Sequence, residues 1–245
     1  MSELTFIGTS DAFGAGGRRQ SAILLRAPNG AVLLDCGATT NTGLLQLGVS
    51  PREIDAILIS HFHGDHFGGI PLFLLAAQYQ DHRKEPLAIA GPPGIEARVR
   101  NLAEAMGHPL EDRELGFTLS FEELAVDREC EIGPVSTRAF ATHHQPDSCP
   151  HGLIVRAGSH RVAYSGDTGW FDQLPREVAG SDVFVCECTF PRASYEFHLD
   201  LETLMARRPE FDCGRVILTH FAAEMSERRG HCELETADDG LELSF

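Results

Sequence analysis

Ala56-Ile-Leu-Ile-Ser-His-Phe-His-Gly-Asp-His-Phe-Gly-Gly69 changes character halfway along its length. Ala56 to Ile59 is a short apolar run of the kind that forms a buried strand, whereas Gly64, Gly68 and Gly69 occupy turn positions. Between them stand three histidines and an aspartate in the spacing His-x-His-x-Asp-His. Residues two apart in an extended chain point the same way, so His61 and His63 can reach one metal ion. Asp65 and His66 come after the turn and address a neighbouring point. Four ligand-type side chains in six residues make a poor core and an expensive surface. The pattern predicts a metal site with room for two ions.

Three further segments end in ligand-type residues just after apolar strands: Phe140-Ala-Thr-His-His144, Ala163-Tyr-Ser-Gly-Asp167 and Val216-Ile-Leu-Thr-His220. Rigid strand ends hold metal and catalytic groups well. Together the residues supply an inventory for two ions. One would take His61, His63 and a histidine of the 143–144 pair; the other would take Asp65, His66 and His220, with Asp167 bridging. Alternation puts His143 and His144 on opposite faces of their strand, so only one of them can bind.

The remaining chain reads as alternating strands and helices. Ala22 to Ala27 and Ala31 to Asp35 form a hairpin about Pro28-Asn29-Gly30, and a helix covers Thr40 to Leu47. Pro71 to Tyr79 fits a helix packed on a sheet, and an amphipathic helix ends near Met106. Strands are expected at Leu4–Gly8, Leu87–Ala90, Thr118–Leu124, Val135–Thr142, Leu153–Ala157, Arg161–Ser165, Asp182–Cys188, Arg215–Thr219 and Leu241–Phe245. The charged stretch Glu111 to Glu114 reads as a solvated connection. The Gly-rich turn Gly8 to Gly17 lacks a P-loop's Gly-Lys-Ser/Thr, and is expected to line one edge of the site with Arg18 facing the cleft. Hairpin groups interrupted by helices occur twice, with no linker between. This pattern fits one α/β domain over residues 1–245, with two packed sheets and helices outside.

Composition narrows the class further. The net charge of −16, with Arg and Lys scattered, counts against a long nucleic acid partner, whose phosphates need a basic stripe. No 18-residue apolar run is present, and the first residues lack the basic and apolar regions of a signal peptide. Seven cysteines without a repeated Cys-x-x-Cys argue against a disulfide framework, and the cytoplasm is the expected compartment. Cys36, Cys186 and Cys188 read as small buried apolar residues. His82, His108, His151, His160 and His231 lack metal spacing and read as surface or loop residues.

His-x-His-x-Asp-His, the strand-end His144, Ser165-Gly-Asp167-Thr and Thr219-His220 resemble the motif series of the metallo-β-lactamase superfamily, in particular its ribonuclease Z and phosphodiesterase branch. Cys186-Glu187-Cys-Thr-Phe190 followed by His198 is similar to that branch's acidic strand end and downstream catalytic histidine. The resemblance implies a four-layer αββα sandwich of two mixed sheets. It also implies metal ligands His61, His63, Asp65, His66, His144, Asp167 and His220, and a catalytic group of Asp65, His198 and Glu187. The choice of His144 over His143 rests on relatives whose ligand stands two residues before a small or Pro residue. Two zinc ions are the implied cofactor, with manganese or iron as substitutes, and a homodimer is compatible with it. One departure matters: only 22 residues separate His144 from Asp167, which leaves no room for the arm that clamps tRNA in ribonuclease Z proteins.

The expected activity is therefore hydrolysis of small or cyclic phosphodiesters by hydroxide held between the metals, with His198 protonating the leaving group and Glu187 orienting it. Arg18 or backbone N–H groups would hold the phosphate. A ribonuclease Z-like RNA endonuclease without the arm, and a lactone or thioester hydrolase, are the alternatives. A non-catalytic metal-binding protein is the least consistent with His198.

Overall fold

Neighbours in sequence belong to different cores. In the quoted run, Ala56 and Leu58 pack between two sheets, while Ile57 and Ile59 pack beneath the helices on the outer side. The same alternation separates Val32 and Leu34 from Ala31 and Leu33. Burial on both faces is what parallel strands covered by helices require, and it explains why these strands read as continuous apolar runs. The computed structural model describes residues 2–111 and 114–245.

One seven-stranded sheet runs in the order Glu242–Ser244, Glu3–Gly8, Ala22–Ala27, Gly30–Leu34, Ile54–Leu58, Leu87–Gly91, Leu119–Glu123. The other runs Glu235–Thr236, Arg215–Thr219, Val183–Glu187, His160–Tyr164, His151–Ala157, Val135–Ala141, Glu129–Ile132. Each sheet has an antiparallel half built from hairpins and a parallel half built from crossovers. A middle core joins the inner faces, with Leu4, Phe6 and Leu25 facing Val155, Val162 and Ile217. Helices Ile70–Leu75 and Ile95–Ala105 cover one outer face, and Leu201–Arg207 and Ala223–Arg228 the other. The result is the expected four-layer αββα sandwich.

Several local expectations shift. The Pro28-Asn29 turn is a two-residue hairpin, pairing Ala27 with Gly30. The helix expected from Pro71 to Tyr79 is an α-helix at Ile70–Leu75 that continues as a wider π-helical turn, Ala76–Gln80. Glu129–Ile132 is an edge strand outside the expected set, and its glutamates face water. His151 is buried at the start of His151–Ala157, not in a loop, because it pairs with Ala141. In the 111–114 connection, Asp112 and Arg113 lie outside the described residues. All seven cysteines are free, and burial pushes the Cys36 thiol up to about 12, which suits an inert core residue.

Candidate active site

Four strands of the parallel halves end at one rim, and each delivers a polar side chain there. Gly30–Leu34 leads to Asp35, Ile54–Leu58 to His61 and His63, His160–Tyr164 to Asp167, and Arg215–Thr219 to His220. The neighbouring Val183–Glu187 ends on Glu187 itself. Asp35 and His220 hold left-handed backbone angles, φ 59° and 60°, an uncommon state for residues with a Cβ and one that clusters at functional sites. Gly166 makes the turn before Asp167 at φ 56°; a Cβ there would meet the His151 carbonyl oxygen at 2.8 Å and Ser60 Cβ at 2.9 Å.

The ligand-type atoms form two groups. His61, His63, His144 and Asp167 bring their atoms within 4.8 Å of one another, as do Asp65, His66, Asp167 and His220. Asp167 belongs to both. His63 Nδ1 lies 3.1 Å from His61 Nε2 and 3.1 Å from His144 Nε2. His66 Nε2 is 3.2 Å from Asp167 Oδ1, and His220 Nε2 is 3.3 Å from Asp65 Oδ2. Two buried atoms here, His66 Nε2 and Asp167 Oδ1, make no hydrogen bond. Buried polar atoms are rarely left so, and converging nitrogens and carboxylates fit a cation. His144 joins the cluster; His143 instead packs its ring against Phe197, 5.3 Å between centroids.

Three of the rings are aimed by a bond on the far side. His66 Nδ1 donates to Asp35 Oδ2 at 2.7 Å, and His144 Nδ1 to the Phe197 carbonyl at 2.8 Å. Ser60 Oγ donates to Asp35 Oδ2 at 2.8 Å, so it can only accept from His61 Nδ1, 3.0 Å away. Such bonds fix the tautomer and leave the other nitrogen bare for metal. Asp35 thus orients both His61 and His66, and it also accepts from the Ser60 amide and the Tyr164 hydroxyl. Sequence reasoning passed over it. The signal was present, because Asp35 follows Val32-Leu33-Leu34 as Asp167 and His220 follow their strands.

Charge within the cluster is uneven. Burial, then the neighbouring His66, holds His61 well below the ordinary histidine value, favouring the neutral form that ligates. Burial also acts on His66, but the carboxylates of Asp167, Asp65 and Asp35 outweigh it and raise its pKa. Burial works against the charged forms of Asp65 and Asp167, yet the flanking histidines keep both carboxyls well below the usual range.

Beside the cluster, His198 stacks on His220 with centroids 5.5 Å apart, and its Nδ1 lies 2.9 Å from Glu187 Oε1. Glu187 is fully buried and also accepts from the amides of Thr168, Thr189 and Leu199. Burial lowers the His198 pKa, but the Glu187 carboxylate more than reverses this and lifts it to about 9.

The cluster opens into a cleft of about 880 Å³ walled by Phe13, Phe190 and Tyr195. None of the described residues that line it is Lys or Arg. Arg18 does not face it. Its guanidinium is buried, bonding Asp238 at 2.6 Å, Asp239 at 3.2 Å and the Thr9 hydroxyl, and so ties the C-terminal segment to the first sheet. Acidic partners more than 200 residues away outcompete the cleft for this cation. Trp170 packs against Phe211 and Arg207.

Sandwich and cluster together define a protein of the metallo-β-lactamase fold, and its curated matches include ribonuclease Z proteins. Within that class the chain belongs to the family described as "Anti-Pycsar protein Apyc1", whose model matches residues 2–237. Ribonuclease Z of Methanothermobacter thermautotrophicus is 38% identical over 122 residues, half of this chain. That match and the one to ribonuclease Z of Halorubrum lacusprofundi span only 36% and 45% of the relatives' lengths. Ribonuclease Z of Bacillus subtilis is 26% identical, with 98% of this chain and 94% of the relative aligned. The human tRNase Z short form superposes with a TM-score of 0.79 at 24% identity, covering 99% of this chain and 98% of that one. Among the described residues no helix is long and apolar enough to cross a membrane.

Proposed function

We propose that this chain is a dinuclear, zinc-dependent phosphodiesterase acting on small or cyclic phosphodiesters. The observation that carries the reading is one carboxylate, Asp167, shared by two donor groups beside a histidine set up as an acid. His61, His63 and His144 would hold one ion, Asp65, His66 and His220 the other, with Asp167 between. Two ions so held would neutralise charge developing on a phosphoryl oxygen and lower the pKa of water toward about 7. The protein's own groups do the rest. Glu187 holds His198 by Nδ1, leaving Nε2 to carry a proton to the departing oxygen. Phe13, Phe190 and Tyr195 take up the apolar part of the substrate and shed water from the site.

The cleft supports a small substrate. A polyanion needs a stripe of cations along its path, and among the described residues no Lys or Arg lines this one. A ribonuclease Z-like RNA endonuclease is the second reading, favoured by the relatives named ribonuclease Z. Zinc-loaded protein should therefore be assayed with bis(p-nitrophenyl) phosphate, a ring-closed diester, an RNA hairpin, a lactone and a thioester. Diester cleavage well above the rest is expected. A higher rate on lactone or thioester would overturn the reading, and a higher rate on RNA would select the second one.

A further inference from the structure

Between the acid pair and the metal cluster stands a hydroxyl that touches both. Thr189, two residues past the end of Val183–Glu187, is buried, and its Oγ1 lies 2.7 Å from Glu187 Oε2 and 2.9 Å from His220 Nδ1. A threonine hydroxyl has one proton to give and lone pairs to accept with, whereas an ionised carboxylate can only accept. The proton must therefore go to Glu187, and His220 Nδ1–H must donate into Oγ1. That arrangement fixes a hydrogen on His220 Nδ1 and leaves Nε2, 3.3 Å from Asp65 Oδ2 and 3.4 Å from Asp167 Oδ1, as the nitrogen that would face a metal ion. His198 Nδ1 lies 3.2 Å from the same hydroxyl but closer, at 2.9 Å, to Glu187 Oε1, so the carboxylate is its acceptor. The chain of bonds runs His220 to Thr189 to Glu187, with His198 on the other oxygen.

We propose that Thr189 is a positioning residue that joins the two halves of the site, holding His220 in its metal-binding tautomer while anchoring the carboxylate that aims His198. The proposal rests on the phosphodiesterase reading for its catalytic meaning, but its physical content is independent of turnover. The backbone needs only a β-branched residue here, since the Thr189 amide and carbonyl make their own bonds to the Leu199 carbonyl and the Ala222 amide. Thr189→Val keeps that shape and removes the hydroxyl; Thr189→Ser keeps the hydroxyl and removes the methyl.

The test measures zinc affinity by equilibrium dialysis, together with the ring N–H signals of His198 and His220 in zinc-loaded, ¹⁵N-histidine-labelled protein. Thr189→Val should weaken the zinc site that takes His220 about 10–100-fold, the usual cost of losing a bond behind a ligand. It should also shift the Nδ1–H signals of both histidines, while Thr189→Ser restores wild-type behaviour in each. Unchanged affinity in Thr189→Val, a shift confined to one histidine, or a serine variant as impaired as the valine one would each overturn the proposal. A wild-type protein that cleaves no phosphodiester would defeat the proposed function and leave these readouts to decide on Thr189.

Discussion

Glu187 Oε1 lies 2.9 Å from His198 Nδ1, and Glu187 is completely buried while His198 opens onto the cleft. A buried carboxylate behind an accessible imidazole both aims the ring and stabilises its protonated form, the property a general acid needs.

Removing the acid should therefore affect chemistry and spare the metals. His198→Ala is expected to retain near-normal metal content and lose roughly 10²–10⁴-fold in kcat on diesters with alkoxide leaving groups. The loss should be small with p-nitrophenolate, which departs without a proton. Steady-state kinetics on the two substrate types check this. Equal losses would mean that His198 binds the phosphate rather than protonating the leaving oxygen.

The pH profile should carry the same signature. Because Glu187 raises the His198 pKa to about 9, the acid form persists through neutrality and kcat should fall as pH rises toward that value. Bound cations repel the imidazolium, so the alkaline limb lies at or below about 9. Glu187→Gln removes the raising charge and should move the limb to lower pH. The ion pair also stabilises the fold, fully below the ordinary histidine pKa of about 6.5 and no longer once pH passes the folded value. A limb that stays in place in Glu187→Gln would assign it to another group.

Asp167 is the one carboxylate common to both donor groups. Asp167→Ala should release one or both ions and abolish turnover with little loss of secondary structure, since two cations held close together would repel without it. Metal analysis and circular dichroism decide; full metal with full activity would reduce Asp167 to a turn residue.

Asp35 touches no candidate metal position, yet it accepts from His66, from the Ser60 hydroxyl and amide, and from Tyr164. Asp35→Ala should weaken metal binding about 10–100-fold through the freed rings. It should also cost roughly 2–4 kcal/mol of stability, because several buried donors lose their acceptor. Tyr164→Phe, which removes one of those donors, should be much milder. Denaturation midpoints and dialysis against zinc measure both effects.

Arg18 provides a control on the cleft. Arg18→Met breaks the tie to Asp238 and Asp239 and should lower stability by roughly 1–3 kcal/mol, less than a sealed ion pair would cost because Asp238 reaches water. KM for a small diester should stay within about twofold of wild type. A large rise in KM at unchanged stability would return Arg18 to the phosphate.

Much of this protein was legible in the linear chain because its signals are local. Backbone alternation fixes which side of a strand a residue faces, so Ala56 to Ile59 announced a strand covered on both faces. The spacing of His61, His63, Asp65 and His66 announced convergent donors, and apolar runs ending at Asp167 and His220 announced more of them at strand ends. Local rules stop where a side chain must choose among distant partners. His143 and His144 are adjacent and chemically identical, and only the fold shows which of them meets His61, His63 and Asp167. Arg18 sits beside a glycine-rich turn at the site's edge, but two aspartates near the C-terminus claim its charge. Asp35 reads as a hairpin end until the fold brings Ser60, His66 and Tyr164 within bonding distance of one carboxylate. Strand direction follows from dihedral angles set residue by residue, whereas a buried polar group's partner depends on which distant atoms the packed sheets leave within 3 Å of it.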